Sequence, residues 1–153
     1  MKLHFTIEKQ SLQRKDDEML ASFSKNFIRC TFHCHYPWDD IYKYALFSDV
    51  QNKKYIVDLG YGSKVGCKIP CDVLKGNYFS VSVFGGDRLT TNQETILLEP
   101  SGFSDGIEDL LSTMNSGMLT VSSDMIDEEK PRLINCFHGY TILKNPQHDE
   151  HLY

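Results

Sequence analysis

Clustered positive charge is scarce in this sequence. Its 16 Lys and Arg face 21 Asp and Glu, a formal net charge of −5 over 153 residues. The longest basic run is the pair Lys53-Lys54. A nucleic-acid surface needs clustered cations to displace counterions, so nucleic acid is not an expected partner. No window approaches the roughly 18–20 apolar residues that cross a bilayer, so membrane insertion is not expected either. The segment Met1-Lys2-Leu3-His4-Phe5-Thr6-Ile7-Glu8 alternates instead of forming an apolar run, and reads as a strand rather than a signal peptide. Five cysteines is an odd number, which excludes a fully paired secreted framework and points to reduced thiols made in a cytosol. Internal repeats and low-complexity segments are absent.

Catalytic motifs are missing too. There is no Gly-x-Ser-x-Gly, no His-Glu-x-x-His and no Ser-x-x-Lys with its partners. Asp39-Asp40 suggests a glycosidase pair, but adjacent strand residues face opposite sides and would not flank one bond. Gly60-Tyr61-Gly62-Ser63-Lys64-Val65-Gly66 has the look of a phosphate loop, yet no helix can start in the Val65-Gly66-Cys67-Lys68-Ile69-Pro70 that follows. A hairpin turn is expected there. Neither enzymatic activity nor a cofactor is expected.

What is present is alternation. Leu3, Phe5 and Ile7 oppose His4, Thr6 and Glu8. Ile28, Cys30, Phe32, Cys34 and Tyr36 oppose Arg29, Thr31, His33 and His35. Strands are also predicted at Tyr42 to Phe47, Tyr55 to Leu59, Val65 to Ile69, Phe79 to Val83 and Thr95 to Glu99, with another near Ser22. Glycine and polar turns separate them. About seven short strands in 100 residues predict a mainly β chain, an antiparallel β-sandwich over residues 1–100. A small barrel is the alternative.

After Gly102 the period changes. Ile107, Leu110, Leu111, Met114 and Met118 fall at helical spacing, and Asp105 with Glu108 resembles a capping box. This predicts one amphipathic helix over residues 105–118, with Gly117 weakening its last turn. Two further strands, Leu133 to Phe137 and Tyr140 to Leu143, follow it, and a polar tail runs from Asn145. Residues 1–100 hold 13 basic and 12 acidic side chains, while residues 101–153 hold 3 and 9. The step supports two parts, 1–102 and 103–153. The helical stripe has an a/d pattern too short to hold a coiled coil alone. Its residues are the expected interface between copies of the chain.

Two side-chain groups invite other readings. Cys30, His33, Cys34 and His35, with Cys67 and Cys71 downstream, suggest zinc. On one strand, however, Cys30 and Cys34 lie roughly 13 Å apart, and the imidazoles face away from the thiols. Cysteines packed as small hydrophobes are the preferred reading, and a small zinc-binding protein is kept as an alternative. Tyr36, Trp38, Tyr42 and Tyr44 are the second group. Core packing is preferred for them, with the Trp38 indole buried at a strand-entry turn; Tyr42 and Tyr44 are the candidate exposed platform for a glycan, with Trp38 a further candidate.

Four places in order carry a resemblance. They are Met1-Lys2-Leu3-His4-Phe5-Thr6-Ile7-Glu8-Lys9-Gln10-Ser11-Leu12; Trp38-Asp39 with Tyr44-Ala45-Leu46-Phe47; Ile69-Pro70 with Val73-Leu74; and Phe79-Ser80-Val81-Ser82-Val83-Phe84-Gly85-Gly86 running into Arg88-Leu89-Thr90-Thr91-Asn92. In them, Lys2 to Gly102 resembles the N-terminal domain of baseplate upper and minor structural proteins from tailed phages of Gram-positive hosts. The resemblance implies an immunoglobulin-like sandwich without catalysis, located in the virion after synthesis in the host cytoplasm. It implies self-association, with a trimer favoured, and contact with other virion proteins in a tail, baseplate or head fibre. Residues 103–153 depart from the pattern, since only about 50 residues stand where a long linker, coiled coil or receptor-binding head is expected. The remaining alternative is a carbohydrate-binding adhesin that meets a host-surface glycan.

Overall fold

The computed structural model describes residues 1–25, 27–114, 132–137 and 139–145. In chain order the strands are β1 (Lys2–Glu8), β2 (Ser11–Arg14), β3 (Leu20–Ala21), β4 (Arg29–Cys34), β5 (Lys43–Ser48), β6 (Lys54–Gly60), β7 (Lys64–Lys68), β8 (Tyr78–Gly85), β9 (Leu89–Thr90), β10 (Glu94–Glu99), β11 (Arg132–Phe137) and β12 (Tyr140–Lys144). Among the described residues, one α-helix, α1 (Asp105–Met114), lies between β10 and β11. The chain is mainly β, as its alternation predicts.

Alternation becomes burial directly. In β1, Leu3, Phe5 and Ile7 are buried while Lys2, His4 and Glu8 are exposed. In β4, Cys30, Phe32 and Cys34 point inward and His33 outward. A period of two puts every second side chain on one face, so the register of each strand is tied to its apolar set. The strands form two sheets, ordered β2-β1-β4-β7 and β11-β12-β6-β5-β8-β10-β3, with β9 paired to β8. Their inner faces share one core. Leu3, Phe5, Phe32, Cys30 and Cys67 of the first sheet meet Phe47, Val57, Phe79, Val81 and Ile96 of the second. The rings of Phe5 and Phe32 stack 5.2 Å apart within it.

Both sheets are mixed, and this corrects the expectation of antiparallel pairing throughout. The pairs β1–β4, β3–β10 and β6–β12 are parallel. Parallel neighbours need a long connection to bring the chain back in the same direction. Here β2 and β3 lie between β1 and β4, and β7 to β11 with α1 lie between β6 and β12. Strand order is open in both sheets among the described residues, unlike the barrel alternative.

The turn at Gly60-Tyr61-Gly62-Ser63 is real, but it is not a hairpin. β6 belongs to the second sheet and β7 to the first, so the turn carries the chain across the core. Tyr36 is a second correction. The strand ends at Cys34 and Tyr36 is exposed, off the buried face assigned to it. The indole of Trp38 is fully buried in a one-turn 3-10 segment, as expected of a strand-entry turn. Its Nε1 donates to the carbonyl of Lys9 at 2.6 Å.

The two C-terminal strands form as predicted and extend the second sheet past β6. Asn145 does not hang free. It is buried, its amide donating to the carbonyls of Asp58 at 3.1 Å and Gly66 at 2.8 Å. It thereby ties β6 to β7 across the two sheets. The predicted tail beyond Asn145, and the helix beyond Met114 with Gly117 and Met118, lie outside the described residues.

Candidate functional site

Three surfaces carry exposed chemistry. The first is α1. Serially adjacent Asp and Gly residues open it, and Ile107, Leu110, Leu111 and Met114 supply its apolar stripe. All four are exposed, at 38%, 57%, 43% and 64%. Among the described residues, contacts hold the helix at its start. Lys75 Nζ reaches Asp105 at 3.2 Å, and the ring of Phe103 meets that of Phe23 at 5.9 Å. A ten-residue helix in water is marginal by itself, because nucleation costs more than so few turns return. An exposed apolar stripe on such a helix makes it a candidate interaction surface.

The second surface is aromatic and contains the predicted pair. Tyr42 and Tyr44 sit half-buried on the outer face of the second sheet. The Tyr42 ring lies 5.2 Å from Tyr44 and 5.2 Å, edge-on, from Tyr61. Tyr44 stacks on Phe84 at 5.2 Å, its cross-strand partner in β8. Tyr42 Oη donates to the Asp58 carboxylate at 3.1 Å. Trp38, the further candidate for this platform, is buried and takes no part. Tyr61 and Phe84 do take part, and sequence reasoning missed both. Their signal was available in the alternation of Phe84 with buried Val83, and in an aromatic at a glycine turn.

Lys43 braces this patch from below. It sits in β5 between Tyr42 and Tyr44, on the inward-facing parity, and is fully buried. Its Nζ donates to the carbonyls of Gly62 at 2.8 Å, Gly60 at 3.0 Å, Trp38 at 3.1 Å and Ile41 at 3.4 Å. Those carbonyls belong to the two turns that flank the patch. Burial pulls the Lys43 pKa below the ordinary lysine value, and hydrogen bonds to the charged form act against that shift. Nearby, burial pushes the Cys34 thiol up to about 11.

The third surface was not foreseen from sequence. A cavity of about 700 Å³ is lined by His4, Arg29, Thr31, His33, Lys64 and Gly66, with Phe32, Leu59, Tyr61 and Val65. It lies on the outward side of the first sheet and at its β7 edge. The register explains it. His4, Thr31 and Gly66 are cross-strand partners in one outward row, with Thr6, His33 and Lys64 in the outward row on one side of it and Lys2, Arg29 and Lys68 in the outward row on the other. The middle row ends on a residue with no side chain, and long cations flank it. A Cβ at Gly66 would come within 2.7 Å of the Cys30 carbonyl, so this position accepts nothing larger without backbone movement. The His4 imidazole is fixed by a 2.8 Å hydrogen bond between its Nδ1 and Thr31 Oγ1.

Cys30, Cys34 and Cys67 are placed in the core, and Cys71 is half-buried. Cys30 and Cys67 are cross-strand partners with sulfurs 3.6 Å apart, both buried, and Cys34 is buried as well. The hydrogen bond between Cys67 and Cys30, together with burial, raises the Cys67 pKa well above the ordinary thiol value. His33 and His35 stack 4.9 Å apart on the opposite, outward side of β4. Among the described residues, no three of His, Cys, Asp and Glu gather as a metal site would require, which leaves the zinc alternative without a ligand set there. Asp39 and Asp40 are exposed in the 3-10 turn. No described helix is long and apolar enough to cross a membrane.

Comparison of the chain with protein-family models, with curated proteins and with solved structures finds no match.

Proposed function

We propose that the chain is a non-enzymatic virion structural protein of a tailed phage, which associates with copies of itself and anchors or decorates a tail, baseplate or head fibre. In this reading the two sheets form an immunoglobulin-like sandwich, and α1 meets its copies around a symmetry axis, a trimer being the favoured state. The observation that carries the reading is the exposed stripe of Ile107, Leu110, Leu111 and Met114 on a short helix whose start is tied to the body by Lys75 and Asp105. A second copy is the occupant that fits best. The a/d spacing suits a like helix, closed symmetric oligomers are the rule, and the sheets supply the support that so short a coil lacks. The likeness of Lys2 to Gly102 to phage minor structural proteins supplies the virion context. Native mass spectrometry of the full chain tests the assembly, with a stable oligomer expected and a monomer at all concentrations overturning it. Immunolabelling of whole particles tests the location; a chain found in no virion refutes the phage reading.

A carbohydrate-binding adhesin is the second reading, favoured by the ring cluster of Tyr42, Tyr44, Tyr61 and Phe84. Glycan-array binding that disappears in Tyr44→Ala would support it, and an array with no signal would remove it.

A further inference from the structure

We infer that the cavity over Gly66 is a binding site for an oxyanion ester of a sugar, a phosphate or sulfate group on a pyranose. Three features of the cavity carry this. Its charge is one-signed. Arg29 and Lys64 line it, with His4 and His33 as further nitrogen groups, and no carboxylate occurs among the described residues of its wall. In a chain of net charge −5, such a wall is a local reversal. Cations gathered on concave, low-dielectric walls focus their field on an anion, and a guanidinium presents its fork of donors to tetrahedral oxyanions.

The second feature is construction. The space exists because Thr31 and Gly66 keep the middle row short between rows of long cations, and the backbone approach at Gly66 keeps it so. The Thr31–His4 hydrogen bond fixes polar groups on the floor. Asn145 holds the Gly66 carbonyl at 2.8 Å and pins the β7 edge in place. The site is therefore part of the fold rather than a chance meeting of flexible lysines.

Size and the single ring supply the third feature. A volume of about 700 Å³ far exceeds one inorganic anion and falls within the range of organic-ligand sites. Tyr61 lines the cavity while 62% exposed, and its ring meets that of Tyr42 in an edge-to-face contact at 5.2 Å. One exposed aromatic face beside polar groups suits the C–H face of a pyranose. A nucleobase is better served by aromatic surfaces on both of its faces, so nucleotides are the class the cavity disfavours. The site is independent of the α1 stripe and stands whether or not the chain assembles.

The test is isothermal titration of the full chain with glucose 6-phosphate, glucose 6-sulfate, glucose, inorganic phosphate and adenosine monophosphate. At least one glucose ester is expected to bind at least tenfold more tightly than glucose or phosphate, and the preferred ester identifies the oxyanion. Lys64 is exposed, so Lys64→Gln keeps the fold; it and Arg29→Gln are expected to weaken the ester at least tenfold. Tyr61→Ala should weaken the ester several-fold and leave phosphate unchanged. The inference is overturned if neither ester binds, if glucose binds as well as its esters, or if adenosine monophosphate binds best. It is equally overturned if Lys64→Gln and Tyr61→Ala, folded by circular dichroism, bind as the parent does.

Discussion

The two sheets and α1 use the same kinds of apolar residue to opposite ends. In the sheets, nearly every side chain on an inward parity is covered by the facing sheet, from Leu3 and Phe32 to Phe47 and Ile96. On α1, Ile107, Leu110, Leu111 and Met114 remain 38%, 57%, 43% and 64% exposed. Burying a leucine-sized side chain is worth about 1.5–3 kcal/mol. The sheets collect that term within one molecule, whereas under the proposed assembly the helix would collect it against a second copy. If so, the difference separates what makes this protein fold from what would let it associate, and substitutions in the two regions should separate the same way.

The largest effect is expected in the body. Trp38→Ala removes a fully buried indole and its bond to the Lys9 carbonyl, and should cost about 3–5 kcal/mol in urea unfolding. A loss below about 1 kcal/mol would mean that the core does not depend on this turn. Lys43→Met comes next. It keeps the length of the side chain but leaves the carbonyls of Trp38, Ile41, Gly60 and Gly62 without their shared donor. A cost of about 3 kcal/mol is expected, with a change in tyrosine near-ultraviolet dichroism as the patch loosens. Dichroism identical to the parent would show that the ammonium does not position the rings.

In contrast, Leu110→Asp should leave unfolding of the monomer within about 0.5 kcal/mol of the parent while lowering the native mass. If it instead destabilises the monomer by several kcal/mol, the stripe packs within the chain and the contrast fails. The smallest effect concerns acid. Burial would raise the Asp16 pKa, but bonds from the Arg14 guanidinium and from the backbone N–H groups of His4 and Glu18 hold it below its ordinary value of 3.8. A depressed carboxylate contributes stability that is complete above its unfolded value and is lost as pH falls through its folded one. Asp16→Asn should therefore flatten the fall in stability below pH 3.8 and change that dependence little near neutrality. A parent and variant with parallel acid limbs would contradict it.

Much of the fold was legible in the residues because alternation is a local signal. The Leu3-Phe5-Ile7 and Cys30-Phe32-Cys34 sets each announce a strand and its buried face, and Trp38 announces a core ring at a turn. The direction in which strands pair is not local. Nothing in Lys2 to Glu8 or in Arg29 to Cys34 says that the two run parallel; the length and path of the chain between them decide it. The crossing at Gly60 to Ser63 misled for the same reason, since a tight turn looks alike whether its strands share a sheet or leave it. The platform was half legible. Tyr42 and Tyr44 stand at the spacing of one strand face, but Tyr61 reaches them from the crossing turn and Phe84 from β8.

Local patterning by itself determined that the chain would be rich in strands, which side chains each strand would bury, and that one amphipathic helix would follow them. A period of two or of 3.6 residues needs only the neighbours along the chain to be read. Tertiary structure alone decided that His4, Arg29, His33 and Lys64 would border one cavity around Gly66, and that Lys43 would be sealed beneath the tyrosines. Those groupings depend on cross-strand register, which arises when strands distant in sequence bury their apolar faces together, and so no stretch of sequence contains it.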